Sequence, residues 1–66
     1  MNREKTRREI FVKIARAIII TYTKLNREDA TALAEAIHDD CLNDPEFEIS
    51  FSYIQHYTHE NIQYLD

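Results

Sequence analysis

Between His38 and Asp44 the chain gathers a histidine, a cysteine and three aspartates, within the stretch EAIHDDCLND. Further on, HYTHE adds His56, His59 and Glu60. These residue types bind metals, move protons and attack electrophiles, so the first question is whether their spacing serves any of those ends.

A zinc site is the first possibility. His38 and Cys41 lie three apart, as do His56 and His59, and together they read H-x2-C-x14-H-x2-H. Four nitrogen and sulfur ligands suit a tetrahedral ion. However, structural zinc sites usually carry at least two cysteines, and Cys41 is alone here. Cys41 also continues the apolar stripe of Ala34 and Ile37, where a buried thiol is common. The reading therefore expects no metal and no cofactor, with His38, Cys41, His56 and His59 kept as the alternative.

Catalysis fares no better. Cys41 with His38 or His56 would be a nucleophile–base pair, and Asp39 with Asp40 a carboxylate pair. Adjacent helical residues point about 100° apart, so the two aspartates do not converge. A short chain has little room for a substrate pocket, and no enzyme activity is expected.

The aspartates say more as charges. Asp39, Asp40 and Asp44 cluster where the second predicted helix ends, and the helix dipole is already negative there. No Lys or Arg follows them, so a cation has to come from elsewhere: Arg3, Lys5, Arg7 or Arg8 of the first segment, a divalent ion, or a partner.

The whole chain is segregated in the same sense. All eight basic residues fall in positions 1–27, against Glu4 and Glu9, for a net 8 − 2 = +6. Positions 28–66 hold ten carboxylates and no Lys or Arg, for −10. Such asymmetry hints at charged partners, although the first explanation is that the two halves pack together and partly neutralise each other, within a monomer or across a dimer. An acidic, tyrosine-bearing face of Asp39, Asp40, Asp44, Glu48, Tyr53 and Tyr57 would suit a basic surface on another protein. A basic helix with Arg3, Lys5, Arg7, Arg8, Lys13 and Arg16 would suit phosphates, but no helix-turn-helix signature accompanies it. The leading expectation is a non-enzymatic regulatory protein that binds a partner protein, with a nucleic-acid-binding regulator or a zinc module as alternatives. The size and acidity resemble those of small accessory proteins of bacteriophages and other mobile elements, although no motif carries the likeness.

The elements that position these residues are helices. The chain has 66 residues and no glycine, and its only proline is Pro45. It therefore lacks a glycine-rich phosphate loop and favours a few helices with brief connections. Nine isoleucines and seven aromatic residues give a single 1–66 domain enough apolar surface to collapse. The longest apolar run, Ala17–Ile20, is far short of the roughly 20 residues that span a bilayer. A lone cysteine and the lack of a signal-peptide pattern point to a cytoplasmic chain.

Segment one, Arg3 to Lys24, carries two helical stripes: Phe11, Ile14, Ile18 and Leu25, and Val12, Ala15, Ile19 and Tyr22. Two stripes make an apolar face wider than one neighbour covers. The expectation is a homodimer through Phe11, Ile14, Ile18, Ile19 and Tyr22, unless the later segments cover that face. Segment two starts at an Asn26 cap and ends before Asp44-Pro45, forming an antiparallel hairpin with the first. In segment three, Asp44-Pro45-Glu46 reads as a helix start, whereas EFEISFSY alternates like a strand. A helix is favoured, and THENIQYLD extends it with Ile62 and Leu65 on the core. The fold expected is all-α with three helices; the alternative is α+β, with residues 46–53 as an intermolecular strand.

Overall fold

The computed structural model describes residues 3–64, with side chains from residue 6 onward. Its elements are α1 (Arg3–Tyr22), α2 (Arg27–Cys41) and α3 (Phe51–Ile62), and the described residues contain no strand. The all-α, three-helix expectation is met.

Each boundary has a local cause. Past the end of α1, the Thr23 hydroxyl donates to the Ile19 carbonyl at 2.7 Å and accepts from the Leu25 N–H at 3.2 Å. The Asn26 side chain then accepts from the Asp29 N–H at 2.8 Å, capping α2. Glu28 and Asp29 occupy its first turn, where the dipole favours negative charge. Ser50 caps α3 in the same way, accepting from the Tyr53 N–H at 3.2 Å. No described residue has positive φ, in keeping with the lack of glycine.

Packing directions follow from side-chain pairs. Arg8 meets Asp39 and Arg16 meets Thr31. The position numbers sum to 47 in both pairs, so α1 and α2 run antiparallel. Tyr22, the last residue of α1, packs edge-on to His59 in the last turn of α3, so the C-terminal ends of the two helices lie together and α3 runs in the same sense as α1. Phe11, Ile19, Ile37 and Ile54 fill the centre, fully or almost fully buried, joined by Ala15, Ala30 and Ala34. The alanines permit close approach, and burying each large side chain stabilises the fold by about 1.5–3 kcal/mol.

Of the five residues expected at a homodimer seam, Phe11, Ile18 and Ile19 are buried within the chain, Ile14 is half-buried and Tyr22 is exposed. One expectation needs correcting: α3 does not begin at Pro45. Instead, the Phe47 N–H donates to the Asp44 carbonyl at 3.1 Å and the Glu46 N–H to Asp44 Oδ1 at 2.9 Å, closing a turn with proline in its second position. Residues 47–50 then run outside any helix or strand up to the Ser50 cap. In an extended segment alternate side chains share a side, so Phe47 and Ile49 both pack on the core. In a helix those two would point about 200° apart. Phe51, which continues the alternation in sequence, is exposed on the first turn of α3. Leu65 lies outside the described residues.

Candidate functional site

The end of α2 and the connector after it gather most of the singled-out residues. Asp39 Oδ1 accepts from Arg8 Nη1 at 2.9 Å, and Arg8 Nη2 lies 3.5 Å from Glu35. Arg8 is thus the cation that the end of α2 requires, brought there by the antiparallel hairpin. The same Asp39 oxygen lies 3.0 Å from His38 Nδ1. A carboxylate only accepts, so His38 carries its proton on Nδ1 in this pair. The His38 ring is buried edge-on against Phe11 and Phe47, with centroids 5.2 and 5.8 Å away.

Asp44 is engaged still more fully. Its Oδ2 accepts from the Tyr53 and Tyr57 hydroxyls, each at 2.8 Å, while Oδ1 takes the Glu46 N–H. The Glu46 amide and then the two tyrosines hold its carboxyl below the ordinary range. The tyrosines respond in the opposite direction. Burial, then the bond to Asp44, pushes the Tyr53 hydroxyl strongly up, and the bond to Asp44 leads in raising Tyr57. Phe47 packs edge-on to Tyr53 at 5.5 Å, so the connector is held to α3 by rings as well as by the carboxylate. Beside this group, Cys41 is buried, and burial raises its thiol, although the nearby Tyr53 hydroxyl pulls the other way.

What remains open is a smaller acidic set. Asp40, Glu46 and Glu48 are exposed, with no ion-pair partner among the described residues, and Leu42, two residues after Asp40, is 57% exposed. The six residues expected on the acidic face therefore divide. Asp40 and Glu48 are free, whereas Asp39 and Asp44 are engaged within the chain. Tyr53 is buried, and Tyr57 is half-buried with its hydroxyl on Asp44. Leu42 and Glu46 join the exposed set unforeseen; the only sequence signal for them was their place beside the aspartates.

The four residues of the zinc alternative are not brought together. His38 and Cys41 are buried at the end of α2, whereas His56 pairs with Glu60 at 3.4 Å and His59 packs against Tyr22 at 4.7 Å. Among the described residues no three of His, Cys, Asp and Glu are arranged to hold a metal ion. On the basic side, Arg8 and Arg16 turn toward α2, Arg16 reaching Thr31 Oγ1 at 3.5 Å. Arg7 and Lys13 stay exposed, and the side chains of Arg3 and Lys5 lie outside the described residues. No helix among the described residues is long and apolar enough to cross a membrane. In comparisons with protein-family models, curated proteins and solved structures, the chain matches none.

Proposed function

We propose that this chain is a small, non-enzymatic regulatory protein of the cytoplasm whose acidic end engages a basic surface on a partner protein. The observation that carries the reading is the charge left over after internal pairing. Asp40, Glu46 and Glu48 are exposed with no ion-pair partner among the described residues, close in sequence to the exposed Leu42 and to an Asp44 whose carboxyl the Glu46 amide and then two tyrosines hold below the ordinary range. An apolar spot with a charged rim is a common plan for a binding patch, and unmatched charge of one sign steers and orients a partner of the other. Chemistry is disfavoured by the same geometry. The Cys41 thiol is buried and pushed up, which makes it a poor nucleophile, and Asp44 and His38 are committed to neighbours. Binding of nucleic acid along α1 would have Arg7 and Lys13 free, but would compete with α2 for Arg8.

The test is capture from a bacterial lysate on immobilised protein, comparing wild type with an Asp40→Lys, Glu46→Lys, Glu48→Lys variant. Asp39 and Asp44 are left alone because they hold the fold. The variant is expected to melt no lower than wild type and to lose the protein that wild type retains. Retention of the same protein by both would sink the acidic-end reading.

A further inference from the structure

A second surface lies along the open side of α1 and does not depend on the acidic end. Arg7, Ile10, Ile14, Ala17 and Thr21 follow one another at spacings of three and four, so they share one helical face. Ile14, Ala17 and Thr21 form one bank of a groove, and Phe51 and Gln55 of α3 form the other. Ile10 is 42% exposed and Phe51 59% exposed. Large apolar side chains aligned in water mark an interaction surface, unlike the same residues scattered singly.

The charge around the groove says what fits it. No carboxylate lines it, and Lys13 stands on its edge. Arg7 lies at one end of the row, and Lys24 just past the other end. None of these three cations has an ion-pair partner among the described residues. The groove lining itself holds Lys13 and no carboxylate, so a second copy seated in it would offer Lys13 no opposite charge from that same lining, and facing like charges repel. The complement is a helix with an apolar centre and flanking acidic residues. From Arg7 to Thr21 is fourteen residue steps, about 21 Å at 1.5 Å each, so a partner helix of roughly four turns spans the row.

We propose that the α1–α3 groove docks an acidic amphipathic helix from another protein. The helix seats its apolar side chains against Ile10, Ala17 and Phe51, and its carboxylates face Arg7, Lys13 and Lys24. The mode is helix-in-groove recognition, read through anchors at i, i+3, i+4 and i+7.

The test uses two synthetic helical peptides of about 18 residues, long enough to span the row. Both carry leucines at those anchor positions; one has flanking glutamates and its twin has lysines. Each is titrated into isotope-labelled full-length protein and followed by amide shifts. The glutamate peptide is expected to bind at least about tenfold more tightly, a difference of roughly 1.4 kcal/mol. Its shifts should centre on Ile10, Ile14, Ala17 and Phe51, and its advantage should shrink with added salt. Ala17→Arg, at an exposed position, should keep the melting temperature and abolish binding. Equal affinity for the twins would overturn the proposal, as would shifts centred elsewhere. So would sedimentation showing that the protein alone is a dimer that Ala17→Arg converts to monomer, because a second copy would then occupy the groove.

Discussion

Asp44 ties the turn after α2 to α3. One carboxylate closes the turn after α2 and receives two tyrosine hydroxyls from successive turns of α3. Its lowered pKa fixes the sign of a pH effect. A carboxyl with a depressed folded pKa adds stability above its unfolded value, near about 3.9, and loses it as pH falls through the folded value. Asp44→Asn should therefore be less stable than wild type at neutral pH, and the gap should close in acid; urea midpoints measured from about pH 7 down to about pH 3 test this. Equal midpoints at neutral pH would remove Asp44 from its place in the account. Thr58 poses the reverse case. It is fully buried, and its Oγ1 has no hydrogen-bond partner among the described residues. A buried hydroxyl without a partner costs about 1–3 kcal/mol, and an apolar group of the same shape removes that cost. Thr58→Val should stabilise the fold by about 1 kcal/mol, raising the melting temperature by roughly 4–8 °C for a domain of this size. Sequence reasoning found the acidic residues by type and could not sort them. Whether Asp39 or Asp40 meets Arg8 depends on helix rotation, and whether Asp44 faces solvent or tyrosine depends on the turn it sits in. The four-residue spacing of Tyr53 and Tyr57 was a visible hint that one group could bind both.

At the scale of elements, α1 and α2 were readable because their signals are local: apolar periodicity over four to five turns, an Asn26 cap, and acidic residues in the first turn of α2. The entry to α3 was not, for a physical reason. An aspartate, then a proline, then an acidic residue opens a helix and also opens a β-turn, since both start near the same backbone angles. What decides between them is tertiary: Phe47 and Ile49 both reach the core only if the chain is extended between them. Phe47 then joins Phe11, His38 and Tyr53 in one ring cluster. This makes the connector a structural element instead of a loose link. Phe47→Ala should cost about 2–4 kcal/mol, somewhat under the figure for a fully buried phenylalanine. The accompanying signature is faster alkylation of Cys41, which this corner otherwise keeps buried. An unchanged melting curve and an unchanged alkylation rate would show that the connector does not brace the core.

Over the whole molecule, the −10 and +6 halves of the sequence meet along only part of their length. Arg8 joins them at Asp39 and Glu35, which leaves Arg7 and Lys13 exposed on one side and Asp40, Glu46 and Glu48 on the other. The Cα radius of gyration is 11.2 Å, close to the roughly 11 Å of a compact chain of this length. The bundle is therefore closed, and the remaining charge belongs to its surface. Domains below about 70–80 residues draw little stability from one core, and unpaired like charges add nothing to it. Their persistence at one end fits a use in binding. That claim meets its most direct test in the salt dependence of the complex formed with the captured partner. Affinity of wild type should fall steeply with added salt, and the Asp40→Lys, Glu46→Lys, Glu48→Lys variant should bind at least about tenfold more weakly at low salt and converge toward wild type at high salt. Affinities that coincide at every salt concentration would contradict the account.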